Sequence, residues 1–167
     1  MDMAIEEATI EDLARIRSIL NDAILNTTAV WYNDPRTPQQ MQEWLEMKHR
    51  EGLPVLVARR GGDVAGYASY GSFRPWSGYV HTVEHSVYVD GRMRRSGVGR
   101  LLLRALISHA QAAGYHAMVG GIAAENEASI ALHESLGFGE VGRMPEVGLK
   151  FGRWLTLVFI QKILKEP

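Results

Sequence analysis

The segment Arg94-Arg95-Ser96-Gly97-Val98-Gly99-Arg100 sits between a strand-like run and a helical pattern, and that position decides how the chain is read. Upstream, Val83 to Val89 is rich in β-branched residues. Downstream, Val98, Leu102, Ala105, Leu106 and Ala113 recur on one face of a helix. Glycines at such a junction let backbone N–H groups turn outward at a helix N-terminus, where unpaired donors and partial positive charge suit a pyrophosphate. Arg94, Arg95 and Arg100 add guanidinium donors for phosphate oxygens. A glycine loop without this strand–loop–helix setting is usually only a turn. Spacing excludes two common nucleotide fingerprints: a Rossmann turn needs a small residue where Leu102 stands, and a P-loop needs Lys-Ser/Thr after its second glycine.

Gly and Pro punctuation divides the rest into alternating strand-like and helix-like pieces, with no repeat, long linker or low-complexity tract. Ala4 to Ala8 reads as a strand. Thr9 and Asp12 resemble a capping box for a helix carrying Ile10, Leu13, Ile16, Ile19 and Leu20 at helical spacing. Thr37-Pro38 suits the N-cap and first position of a second helix ending near Arg50, and Thr27 to Arg36 between the helices is irregular. Pro54 to Arg59 and Val64 to Phe73 form a hairpin about Gly61-Gly62. Ala117 to Ile122 is a strand, Asn126 caps a helix through Leu136, and Gly137 stops it. Glu140 to Met144 and Trp154 to Ile163 complete a mixed sheet of about seven strands. The fold class is α/β (α+β), with residues 1–167 expected to form one domain.

Composition narrows the function classes. A chain of 167 residues with 46% hydrophobic and 22% charged residues has enough apolar material for one sizeable core. Eighteen Lys and Arg against nineteen Asp and Glu give a net charge of −1, which argues against a nucleic-acid partner bound through a broad basic surface. The chain has no cysteine, so a Cys nucleophile, a disulfide and thiolate-held metal are excluded. The acidic N-terminus lacks a signal-peptide pattern, and no apolar run reaches the roughly 18 residues of a membrane span. A cytoplasmic location without a membrane partner is expected. His81 and His85 are four apart, but on a strand that spacing spans roughly 13 Å, so no metal site is expected.

Arg94, Gly97 and Gly99 match the Arg/Gln-x-x-Gly-x-Gly/Ala loop, and the chain resembles the GCN5-related N-acetyltransferase (GNAT) superfamily over nearly its whole length. Asn126-x-x-Ser129-x-x-x-His133-x-x-x-Gly137-Phe138 is similar to the family's later helix and strand. Within the superfamily, Tyr67 to Tyr70, Arg74-Pro75-Trp76, Thr82 to Val89 and Val147 to Trp154 resemble the phosphinothricin and methionine sulfone/sulfoximine N-acetyltransferases. This resemblance implies a GNAT fold, acetyl-CoA as cosubstrate, and direct acetyl transfer to the amine of a small amino-acid-like compound. It also implies a homodimer, with Lys150-Phe151-Gly152-Arg153-Trp154 offering aromatic and basic interface residues.

Glu84 and His133 are the candidate catalytic residues. An amine that is cationic at neutral pH must lose a proton before attack, and the departing thiolate must gain one; the two residues can divide or share these tasks. His133 stands where the wider superfamily often has Tyr, while the branch named above has His. The expected cofactor contacts are the backbone of Val87, Tyr88 and Val89 along pantetheine, the loop Arg94, Arg95, Ser96, Gly97, Val98, Gly99 and Arg100, and Asn126 and Ser135 on the later helix. On the substrate side, Arg74 suits an anionic or strongly accepting oxygen, Trp31, Tyr32, Pro75 and Trp76 suit an aliphatic stem, and Glu84 meets the amine. Strand alternation places His85 on the face opposite Glu84, as a lining or packing residue. Two other functions remain open from the residues: a protein N-terminal or lysine acetyltransferase, and a non-catalytic acyl-CoA-binding module.

Overall fold

The computed structural model of the chain describes residues 3–164. Strand β1 (Met3–Glu7) leads through a single 3-10 turn (Ile10–Asp12) into α1 (Leu13–Asn26). The Thr9–Asp12 capping box forms, with the Thr9 N–H donating to the Asp12 carboxylate at 2.9 Å. It opens the tighter turn rather than the α-helix, so Ile10 faces solvent although its spacing placed it on the apolar stripe. Helix α2 (Pro38–Arg50) starts as its sequence requires: Thr37 accepts from the Gln40 N–H, Gln40 returns its side-chain oxygen to the Thr37 N–H, and Pro38 fills the first turn.

The hairpin of β2 (Val55–Arg60) and β3 (Asp63–Ser72) turns at Gly61 and Gly62, whose φ angles of 61° and 88° lie in the region that glycine favours. There follow β4 (Thr82–Val89), α3 (Val98–Ala112), β5 (Ala117–Ala123), α4 (Glu127–Glu134), β6 (Gly139–Lys150) and β7 (Arg153–Ile163). The seven strands form one sheet in the order β1-β2-β3-β4-β5-β7-β6. All neighbours are antiparallel except β4 and β5, which α3 joins as a crossover.

The hairpin of β6 and β7 is longer than its sequence pattern suggests. β6 continues past Met144 to Lys150 by slipping register between Met144 and Gly148, which takes Pro145, Glu146 and Val147 out of the ladder. A proline has no N–H for a regular ladder, and Glu146 takes φ 52° at the irregularity. The 150–154 stretch is therefore the hairpin turn itself, with Phe151 and Gly152 at positive φ.

Each face of the sheet has its own core. Ile16, Ile19, Leu20 and Ile24 of α1 and Met41 and Leu45 of α2 bury against Val55, Val57 and Tyr67. On the other face, Val98, Leu102, Leu103, Leu106 and Ala110 of α3 bury against Ala58, Ala68, Val83, Met118 and Ile160. Among the described residues no helix is long and apolar enough to cross a membrane.

Close approach of α3 to the sheet depends on Gly66. A Cβ there would lie 2.7 Å from the Tyr88 carbonyl oxygen and 3.0 Å from the Val98 side chain. Gly66→Val should therefore destabilise the protein by about 1–3 kcal/mol through overpacking against backbone. Urea unfolding followed by circular dichroism checks this, and a wild-type midpoint would contradict the packing argument.

Candidate active site

β4 and β5 pair at only three positions: Thr82 with Ala117, Val83 with Met118, and Glu84 with Val119. Beyond these the strands part, β4 continuing beside β3 and β5 beside β7. The inner edges of 85–89 and 120–123 thus lack a strand partner, and their backbone donors and acceptors are open to another occupant. The cavity in this opening is walled by residues 85–88 and 120–123, and Ala29, Asn126, Ser129 and His133 complete its lining. The Tyr88 side chain leaves the opening, packing instead against Tyr67 at a ring separation of 5.2 Å, while Val87 and Val89 pack toward the α3 core. What these three residues offer the opening is backbone.

The glycine loop lies directly beyond β4. Asp90 anchors it, accepting from the Arg92 N–H and guanidinium and from Arg15 of α1. The Arg92 guanidinium, with Arg15 beside it, holds this carboxyl well below the usual carboxylate range. Arg95 and Gly97 both take positive φ, 62° and 87°, turning the chain into α3. Arg94, Arg95 and Arg100 are exposed, whereas Val98 is buried and can serve a ligand only through its N–H. The Ser96 hydroxyl donates to the Met93 carbonyl within the turn. Arg100 reaches Ser135 at 2.8 Å, so the loop and the end of α4 meet as one surface. Gly99 sits between them: a Cβ would be 3.3 Å from Leu132 and 3.5 Å from Val89. Asn126 faces the cavity while its side-chain oxygen caps α4 by accepting the Ser129 N–H at 3.2 Å.

Glu84 and His133 do not touch. Glu84 shares its sheet face with Tyr88, which packs into the α1/α2 core; half-burial raises its pKa, and nearby Arg74 works in the opposite direction. His85 takes the other face, where its Nε2 lies 2.8 Å from Nε2 of His133 and its Nδ1 2.9 Å from the Val119 carbonyl. Burial pushes His85 down to about 3, helped by His133 and opposed by the Val119 bond. Burial also lowers His133, partly offset by the Ser129 carbonyl, so burial disfavours the charged form of both imidazoles. His85 thus both lines the cavity and packs in a buried pair with His133. Gly120 admits it: a Cβ there would stand 2.7 Å from His85 Cε1. Among the described residues no three His, Asp or Glu side chains group in a way that could hold a metal ion.

The expected substrate residues fall into two groups. Arg74, Pro75 and Trp76 are exposed beyond β3, with Arg74 stacked on Phe73 and Trp76 beside Tyr79. Trp31 and Tyr32 lie on the loop between α1 and α2, which is fastened to the hairpin of β6 and β7. Trp31 covers Gly148, where a Cβ would be 2.3 Å from its ring, and donates from Nε1 to the Thr28 carbonyl at 2.8 Å. Tyr32 lies under Arg36 at 4.4 Å. Buried Lys150 donates to the Thr27 and Val30 carbonyls, and Glu125 joins Thr28 to Arg153. Lys150 thus belongs to the inside of its own chain, which removes it from the interface expected of the 150–154 stretch. Residue-level reading missed the contacts of Lys150 and the cavity roles of Gly120, Gly121 and Ser129. The adjacent glycines inside a strand pattern were the available signal, since interior glycine marks a close approach.

A family model described as "Acetyltransferase (GNAT) family" matches residues 16–138. An L-methionine sulfoximine/L-methionine sulfone acetyltransferase from Pseudomonas paraeruginosa is 50% identical over 162 residues, covering 96% of this chain and 94% of the relative. A solved acetyltransferase from Salmonella typhimurium with acetyl-CoA superposes at TM-score 0.97, with 46% identity over 100% of this chain and 96% of its own. A solved ribosomal-protein-alanine N-acetyltransferase from Brucella melitensis superposes at TM-score 0.94, with 50% identity over 96% of this chain and 99% of its own. The parted β4 and β5, the glycine loop at the start of α3 and these matches agree: the chain is an N-acetyltransferase of the GNAT family.

Proposed function

We propose that this enzyme transfers the acetyl group of acetyl-CoA to the α-amino group of small amino-acid analogues, with methionine sulfone and methionine sulfoximine preferred and phosphinothricin next. The carrying observation is the opening between β4 and β5, which ends at the glycine loop and the N-terminus of α3. In this reading the N–H groups at the start of α3, with Arg94, Arg95 and Arg100, hold the pyrophosphate, and Asn126 and Ser135 flank it. The open edge of Val87, Tyr88 and Val89 holds the pantetheine amides and supplies an N–H for the thioester oxyanion. Acetyl-CoA brings the activated acyl group and a thiolate leaving group; no acyl-enzyme is needed in a chain without cysteine.

Glu84 takes the proton from the substrate ammonium, directly or through water, and its raised pKa brings it nearer to that task. Arg74 beside it receives the substrate's sulfone, sulfoximine or phosphinate oxygens, and Trp76, Tyr32 and Trp31 shelter the stem. His133, when it holds a second proton, gives it to the departing thiolate and takes another from solvent. A second reading, acetylation of a protein N-terminal alanine, is favoured by the Brucella relative. The strap of Lys150, Trp31 and Glu125 across the α1–α2 loop supports the small substrate, because it limits the room a peptide needs.

The same reading treats residues 1–167 as one working domain in the cytoplasm, where acetyl-CoA is supplied. It also assigns a homodimer, supported by the exposed Val147, Leu149, Phe151 and Trp154 on the hairpin of β6 and β7.

Thiol release from acetyl-CoA should be fast with methionine sulfone and sulfoximine and slow with spermidine, kanamycin and an alanine-terminated peptide. Peptide activity without sulfone activity would replace the proposal with the second reading. Glu84→Gln should lower kcat by about 10²–10⁴-fold with little change in acetyl-CoA affinity, and should remove the rising limb of the pH–rate profile. That limb belongs above the ordinary carboxylate pKa because burial raises Glu84; an unaltered profile would remove it from the chemistry. Gly99→Leu should displace Leu132 and weaken acetyl-CoA binding by about tenfold or more, against which unchanged affinity by calorimetry would count. Light scattering at micromolar concentration should give twice the chain mass; a monomer mass rejects the dimer.

A further inference from the structure

Lys48 is a buried cation with most of its hydrogen-bonding capacity unspent. It comes from the last turn of α2, is buried, and donates to one acceptor, the Tyr70 carbonyl at 2.7 Å. An ammonium carries three donors. Lys150, the other buried lysine among the described residues, spends two of its three on the Thr27 and Val30 carbonyls. Among the described residues no carboxylate lies within ion-pair distance of Lys48, and Glu51 acts on it only at longer range. A cation held this way beneath a sheet is costly unless an anion comes to it.

The space in front of this ammonium is open, and Glu84 stands across it. A Cβ at Gly71 would meet Lys48 Nζ at 3.4 Å and no other neighbour within 4 Å, and Gly71 itself is partly exposed. Gly71 pairs with Glu84 between β3 and β4. Residues directly opposite in an antiparallel pair point to the same face, with Cβ positions about 5 Å apart. Lys48 and Glu84 therefore flank one patch of bare backbone on the α1/α2 face of the sheet, and they do not bond each other. Arg74, just past the end of β3, is the cation that acts on Glu84 itself. The gap between Lys48 and Glu84 is wider than an ion pair, which is the room a zwitterion needs.

We propose that Lys48 binds the α-carboxylate of the acceptor amino acid while Glu84 receives its ammonium, with the substrate's Cα lying over Gly71. The inference rests on the amino-acid reading given above and assigns the one charged group of that substrate which Glu84 and Arg74 leave without a partner. Burial lowers the pKa of Lys48 to about 8 against the effect of Glu51, so the ammonium persists at neutral pH, and a carboxylate beside it favours its charged form. The Trp44 ring, 6.0 Å from Nζ and edge-on to Tyr67, fixes the lysine from the helix side. With Arg74 on the side-chain oxygens, the acceptor is held through all three polar substituents of its Cα. A polyamine, or the first residue of a peptide, carries no carboxylate at that carbon and leaves Lys48 without its anion.

The test is a cycle of variant against substrate on the full chain, read by thiol release at saturating acetyl-CoA. One acceptor is methionine sulfone; the other is the same molecule with hydrogen in place of its carboxylate. Lys48→Met should lower kcat/KM for methionine sulfone by about 10–100-fold, mainly through KM, and for the decarboxylated amine by about twofold or less. Lys48→Arg keeps a cation and should retain part of the preference for the acid. Gly71→Ala leaves the lysine in place and adds a methyl in ordinary contact with Nζ, so it keeps the fold; it should raise KM for methionine sulfone more than for the amine. Equal losses on the two acceptors in Lys48→Met would make the lysine merely structural and overturn the inference, as would a Gly71→Ala enzyme with both KM values unchanged. Should Lys48→Met fail to fold, Gly71→Ala decides. A wild type active on methionine sulfone but showing no such coupling overturns this inference alone, whereas a wild type inactive on methionine sulfone overturns the proposed function and this inference with it.

Discussion

β4 and β5 are held together by three residue pairs and then separate, and the site follows from that early stop. A parallel ladder would ordinarily run on, because each added pair satisfies backbone donors and acceptors that otherwise need other partners. Here each strand keeps a long antiparallel neighbour on its outer side, β3 for β4 and β7 for β5, so both remain extended while their inner edges stay open. A ligand with amides along its length can fill such an edge as a strand would. The opening ends at the N-terminus of α3, where unpaired N–H groups favour an anion. One interruption of pairing therefore leaves an open backbone edge that leads to a helix N-terminus.

Several buried polar groups hold the elements around this opening. Asp90 fastens the glycine loop to α1 through Arg15 and to its own turn through Arg92. Lys150 ties the loop between α1 and α2 to the β6–β7 hairpin with two carbonyl acceptors, and Trp31 closes over the bare backbone of Gly148. Lys48 donates to the Tyr70 carbonyl at 2.7 Å, next to the part of β3 that pairs with Glu84, and burial pushes its pKa down to about 8, with Glu51 acting against the shift. A buried cation without its acceptors carries a large desolvation cost, so each of these lysines holds its element in one arrangement.

Much of this was legible in the sequence because its causes are local. The capping box at Thr9, the N-cap Thr37 with Pro38 after it, the Gly61-Gly62 hairpin, the glycine turn ahead of α3 and the amphipathic face of α3 all follow from residues within a few positions of each other. The glycine loop was readable for the same reason, and alternation alone put Glu84 and His85 on opposite faces. What escaped depends on contacts distant in the chain. Lys150 bonds to carbonyls more than a hundred positions away, so nothing in its neighbourhood in the sequence signals its burial. His85 and His133 are 48 positions apart, and their meeting requires the crossover through α3 and the bare Gly120. The length of β6 was missed because Pro145 signals an end, while the register slip there accommodates it.

The most direct test of the account is amide hydrogen exchange on the full chain with and without acetyl-CoA. Occupation of the opening should slow exchange at the β4 amides of 86–89 that face β5 and at the amides of 95–100, leaving the outer strands β1 and β6 nearly unchanged. Protection confined to another surface, such as the groove between the start of α1 and α2, would contradict the placement of acetyl-CoA between β4 and β5.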